Sequence, residues 1–298
     1  MSTVAETTTA PARIRRWEGL PYWLVLPAVA YLILFFGWPM VEAFELAFRE
    51  EGHWTLGAFR TMVDDFRFEE ALRTTLILIG VIIPLQFALA LGMALVVSAH
   101  LRFRSIFLYI FILPLAISDL AAGIVWSAIF TERGYLNTIL QHLGIGNPDI
   151  PHIWLDPSNQ AVLIGTIVVA EIWRSTALIM IILVAGLQGI PKEFNEAAEV
   201  FGASWWQRLW AVTLPMLKPS IQVAILLRII LAFEVFSTVI AIAGDGTSVL
   251  ASEAYRWENA NQDENVAAAY ATLILVLSVV SAIFILRLLR TKKEQLLR

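Results

Sequence analysis

Long apolar runs alternate along this chain with short polar segments. Six runs reach the ~20 residues that a helix needs to cross a bilayer: 22–44, 74–99, 105–130, 160–187, 216–243 and 265–289. The pattern therefore predicts an all-α integral membrane protein with six transmembrane helices. Pro27 and Gly37-Trp38-Pro39 predict kinks in the first run, and Pro84 interrupts the second. The first run is long and lacks a small-residue cleavage site, so it reads as a retained span rather than a signal peptide.

One polar stretch has a pattern of its own. In residues 191–219, Phe194, Ala197/Ala198, Phe201 and Trp205 recur at the spacing of one helical face. Pro191 suits a first turn. Gly202 interrupts the run as a turn or a point of close backbone approach. Ser204 and Gln207 have capping-box spacing and restart a helix toward Val212, and Pro215 and Pro219 are expected to break or kink that helix as it enters the next apolar run. The reading is two short amphipathic helices joined at a glycine. From the residues alone, three arrangements stay open: a loop packed on its own bundle, a helix lying on lipid headgroups, and a helix offered to a groove on a soluble partner.

Charge orients the spans. Only 15% of the 298 residues are charged. Thirteen of the 21 Lys and Arg fall in the N-terminal tail, the turn at 100–104, the segment 192–218 and the tail from Arg287. The opposite loops hold six, and Arg174 and Arg228 lie within spans. The positive-inside bias places both termini and the 191–215 segment in the cytoplasm. The sequence has no cysteine, which excludes disulfides, thiol catalysis and thiolate metal sites.

Catalytic signatures are missing. No G-x-x-x-x-G-K-[ST], HExxH or GxSxG occurs, and the four histidines are scattered over loops. The expectation is a transport subunit rather than an enzyme, with no catalytic residue, no metal site and no nucleic-acid partner. The chemistry-bearing side chains are those at membrane depth, where a charge costs about 2.5–3.5 kcal/mol on insertion scales. Glu171 and Arg174 stand three apart on one helix face, Asp119 lies in the third run, and Arg228 and Glu234 lie in the fifth. They read either as interhelical pairs or as groups lining a wet path. Asp119, Trp126, Glu171, Trp173, Arg174, Phe233 and Glu234 are the candidates for a path carrying a polar solute. Rings would supply flat apolar faces, and charges would meet hydroxyl edges. An ion- or proton-coupled secondary transporter using Glu171, Arg174 and Glu234 is the alternative, although no internal repeat is evident.

Glu196-Ala197-Ala198, three residues, Gly202, nine residues and Val212-Thr213-Leu214-Pro215 resemble the EAA loop of binding-protein-dependent ABC importer permeases. Leu113-Pro114, Ile117-Ser118, Gly123 to Trp126, and 185–191 resemble the carbohydrate (maltose/glycerol-phosphate) branch. Phe201 stands where that branch commonly has Asp, and Gly244-Asp245-Gly246-Thr247 departs from its Gly-Gly-Pro. The resemblance implies the type I ABC importer permease fold with a cytoplasmic coupling helix. It divides the chain into a cytoplasmic tail (1–21), a first transmembrane helix (22–44), an extracytoplasmic segment (45–71), a permease core (72–287, coupling loop 191–215) and a cytoplasmic tail (288–298). It further implies ATPase coupling through Glu196, Ala197, Ala198, Phe201, Gly202, Leu214 and Pro215. The implied partners are a second, different permease chain, two copies of an ATPase that binds ATP and Mg, an extracytoplasmic solute-binding protein and the lipid of the cell membrane. No cofactor is implied on this chain.

Overall fold

The computed structural model describes residues 20–50, 52–99, 104–145 and 150–289. Two compact units are distinguished, Met1–Glu45 and Leu46–Arg298. Parts of the expected tails and of the turn at 100–104 lie outside the described residues.

The first unit is helical. Helix α1 (Leu20–Leu32) passes through a π turn at Ile33–Gly37 into α2 (Trp38–Phe48), whose last residues belong to the second unit. The π turn has a local cause. The Trp38 N–H bonds the Ile33 carbonyl five residues back, and Pro39 comes next. In ordinary α spacing the proline ring would collide with the carbonyl four residues earlier, that of Phe35. Widening the turn relieves that contact.

In the second unit a two-residue antiparallel ladder, β1 (Arg49–Glu50) with β2 (His53–Trp54), leads to α3 (Gly57–Asp64). The bundle follows: α4 (Phe68–Ser98), α5 (Arg104–Ile112), α6 (Asp119–Phe130), α7 (Tyr135–His142), α8 (Gln160–Gln188), α9 (Lys192–Val200), α10 (Trp205–Arg208), α11 (Leu214–Phe233), α12 (Ser237–Ala243), α13 (Leu250–Asn259) and α14 (Glu264–Leu288). Five helical stretches are long and apolar enough to cross a membrane: Leu24–Phe48, Phe68–Ser98, Gln160–Gln188, Trp205–Phe233 and Glu264–Leu288.

Two expected spans are not straight helices. The run 105–130 bends by 99° between Arg104–Ala116 and Asp119–His142. Pro114 sits in a 3₁₀ turn at Leu113–Ala116, Ile117 is extended, and Ser118 Oγ accepts from the Ala121 N–H to cap α6. The run 216–243 is also broken, because α11 ends at Phe233 and α12 begins at Ser237. Glu234 stands at that break.

Shape, more than expulsion from water, holds helices together in lipid, so small residues mark the crossings. Ala90 and Ala94 of α4 are fully buried against Ile179, Met180 and Leu183 of α8 and Leu217 of α11. At Gly186 a Cβ would stand 2.2 Å from Ser220 Oγ, so side chains of α11 press directly on the α8 backbone there. A second cluster joins Leu78 and Ile82 of α4 to Ile167 and Ala170 of α8 and Val239 and Ile242 of α12.

Beyond the membrane helices, α3 and the α3–α4 turn are tied to α13 by charge. Asp65 accepts from Trp257 Nε1 at 2.8 Å and from the Arg256 guanidinium, and Arg256 Nε bonds Glu253 at 2.5 Å. Burial would raise the Asp65 pKa. The Arg67 backbone N–H, the Trp257 indole and Arg256 outweigh burial and hold the carboxyl below its usual value.

Candidate functional site

Five elements converge on one buried carboxylate. Glu171, midway along α8, is fully buried, and Arg228 of α11 is 1% exposed. Arg228 reaches Glu171 Oε2 at 3.0 Å through one terminal nitrogen and donates through Nε to Gln86 Oε1 of α4 at 2.6 Å. Gln86 Nε2 donates to the Glu171 backbone carbonyl at 2.8 Å, and Thr238 Oγ1 of α12 donates to Glu171 Oε1 at 2.7 Å. Arg174 approaches Glu171 Oε2 at 3.5 Å and Asp119 Oδ1 of α6 at 2.7 Å. A charge stripped of water is tolerated at this depth only when its donors and acceptors are met inside the protein. For Glu171 and Arg228 they are.

The expected path residues separate into three groups. Asp119, Arg174, Trp126 and Trp173 come together: Asp119 is ion-paired to Arg174, and Trp126 meets Trp173 edge-on at 5.8 Å. Asp119 is exposed and Trp173 is 36% exposed, so this group presents both a ring and a charge pair at a surface. Glu171 adjoins it from below the surface. Phe233 is apart, buried with Ile83, Ile229 and Ala232 in a purely apolar cluster. Glu234 is exposed at the α11–α12 break.

Of the two roles open to Arg228, interhelical pair or wall of a wet path, the structure shows the pair. The sequence does not single out Gln86 or Thr238. Their signal was present: an amide and a hydroxyl in otherwise apolar runs, with no partner of their own nearby in the chain. Among the described residues no group of three or more His, Cys, Asp or Glu is arranged to hold a metal.

The second feature is the pair α9–α10. Helix α9 ends in a Schellman motif: the Gly202 N–H bonds the Glu199 carbonyl and the Ala203 N–H bonds that of Ala198, both at 2.9 Å. Gly202 has φ +76°, which suits glycine, while nothing lies within 4 Å of where its Cβ would be. Of the two readings of this glycine, the turn is what the chain shows, and among the described residues no backbone approaches it. Ser204 and Gln207 form the reciprocal capping box that starts α10, and Arg208 pairs with Glu199 across the turn.

A π turn at Leu209–Thr213 then leads into α11, with the Leu214 N–H bonded to the Leu209 carbonyl and Pro215 next in line. This is the device already seen at Pro39. Most large apolar side chains here are left open by the described residues: Val200 is 86% exposed, Phe201 89%, and Phe194, Trp206 and Trp210 are all exposed. Of the expected coupling residues, Glu196, Ala197, Phe201 and Gly202 are exposed, Ala198 and Leu214 half-buried, and Pro215 exposed.

Residues 86–294 match the family described as the binding-protein-dependent transport system inner membrane component. The chain belongs to this family. The permease is 29% identical over 273 residues to the trehalose transport system permease protein SugA of Mycobacterium tuberculosis, covering 89% of this chain and 86% of that one. It is 28% identical to the sn-glycerol-3-phosphate transport system permease protein UgpA of Agrobacterium fabrum, with 89% and 92% covered. It is 30% identical over 283 residues to a probable ABC transporter permease of Pyrococcus horikoshii, with 90% and 95% covered.

Among solved structures, a bacterial ABC transporter involved in importing the acidic polysaccharide alginate superposes with a TM-score of 0.78 at 24% identity, over 92% of this chain and 96% of that one. The permease thus has the type I importer fold, is a multi-pass inner membrane component of an ABC importer, and is a transport subunit rather than an enzyme. Family membership sets aside the secondary-carrier alternative. The geometry agrees, since Glu171 is locked between Arg228 and Thr238 with no face open to a passing ion.

Proposed function

We propose that the permease forms half of the translocation pathway of an ATP-driven importer of a carbohydrate or related polar solute. An extracytoplasmic binding protein delivers the solute, and a second permease chain completes the path. Both termini and the α9–α10 pair face the cytoplasm, in keeping with the Lys and Arg distribution. There, two copies of an ATPase subunit, which bind ATP and Mg, receive the pair.

The observation that carries this reading is the exposed aromatic face of α9–α10. A Schellman turn, a capping box and the Glu199–Arg208 pair stiffen an element on which Val200, Phe201 and Trp206 are largely uncovered by the described residues. A stiff amphipathic helix with an uncovered apolar face suits a groove on another protein. Closure of the ATPases displaces it and rocks the bundle between outward and inward access. The sugar reading draws on the ring and charge pair presented by Trp173, Trp126, Asp119 and Arg174, and on relatives named for trehalose and glycerol-phosphate transport.

Val200→Asp puts a charge on the exposed face at a position that is 86% exposed. It should insert normally, and the ATPase should no longer co-purify, with solute uptake falling at least tenfold. In right-side-out vesicles of the unaltered system, uptake should stop on ATP depletion and survive an uncoupler while ATP is supplied. Retained ATPase binding by the variant, or uptake that follows the proton gradient, would remove the reading.

A further inference from the structure

We infer that the solute passing through this half of the pathway carries no net negative charge. The inference rests on the proposed path at Asp119, Trp173 and Arg174 and deepens it by naming the charge class.

An uncommitted cation favours an anionic solute, and two cations within the described spans, Arg174 and Arg228, are both committed. Arg228 is buried and committed to Glu171 and Gln86. Arg174 reaches the surface group but is already held between two carboxylates, Asp119 at 2.7 Å and Glu171 at 3.5 Å. The exposed charges left over are negative: Asp119, which shares its arginine, and Glu234 at the α11–α12 break. Thr238 links these two places, since it begins four residues after Glu234 and its hydroxyl lies 3.5 Å from the Asp119 carbonyl.

The approach to the path has the same sign. The segment 45–73 holds seven acidic and four basic residues, 131–159 three and one, and 244–265 five and one. Two of those arginines, Arg67 and Arg256, are themselves paired to Glu253 and Asp65. The net negative charge of these segments disfavours approach of a phosphate or uronate. A neutral glycoside meets hydrogen-bond acceptors and a ring.

The chain lacks cysteine, so a single thiol can report the local potential. In the assembled transporter, Trp173→Cys is treated with a cationic (trimethylammonium-ethyl) or an anionic (sulfonatoethyl) methanethiosulfonate, each normalised to its rate with a free thiol. The cationic reagent should react faster by about tenfold, and Asp119→Asn in the same background should reduce that ratio. Equal rates, or a faster anionic reagent, overturn the inference. So does failure of both to react, because the residue then does not face water.

Uptake separates this inference from the reading beneath it. Uptake of a uronate-bearing disaccharide that requires this chain would sink the charge assignment and leave the carbohydrate reading intact. Uptake of zwitterionic glycine betaine without any sugar would do the reverse.

Discussion

Arg228 is held by an anion, an amide oxygen and the shape of four helices, and each partner comes from a different part of the chain. Removing one member of such a buried pair leaves the other charged and unhydrated, which costs about 3–5 kcal/mol. Glu171→Gln and Arg228→Met should therefore each lower the thermal midpoint of the purified permease sharply. The double variant should recover much of the loss, because no orphan charge remains. Additive losses in a thermal-unfolding assay would show that the pair is not energetically coupled. Here the sequence was half legible. Glu171 and Arg174 are three apart on one face, so their proximity follows from helix geometry alone. The link to Arg228, 57 residues away, depends on how α8 meets α11, which Gly186 and Ser220 decide by tertiary fit.

At the scale of elements, what was local was readable. Gly202 as a turn and Ser204 with Gln207 as a cap are set within six residues, and they form as expected. The bend of 99° was not readable, because a broken span and a straight one bury the same apolar composition; only Pro114 and the Ser118 cap betray it. The turn at Gly202 makes a sharp prediction. The space around it is open, so size is unimportant and backbone conformation is decisive. Gly202→Asn should retain ATPase co-purification, since Asn tolerates the left-handed region. Gly202→Val, with a β-branched side chain that the region disfavours by at least 1–2 kcal/mol, should lose most of it. Equal behaviour of the two variants would mean that the turn's conformation does not matter for docking.

For the whole molecule, the pattern of spans foreshadows the architecture because a bilayer imposes it: apolar length sets the helices, and the Lys and Arg bias carries the proposed direction. That direction is directly measurable in a chain without cysteine. A single thiol at Phe66, on the α3–α4 turn and 83% exposed, should react with an impermeant maleimide added to intact cells. One at Val200 should react only after the membrane is opened. The opposite result would turn the permease over and take the docking proposal with it.

The wide turn ahead of Pro215 has a bearing on where the tryptophans of α10 point. A helix advances 100° per residue, so relaxing that turn to ordinary spacing would change the rotational phase between α10 and α11 by about that angle. Helix α11 is anchored in place by Arg228, thirteen residues on, and cannot rotate freely. The rotation would fall on Trp205, Trp206 and Trp210. One imino acid thus acts as the clocking pin between the bundle and the surface proposed to receive the ATPase.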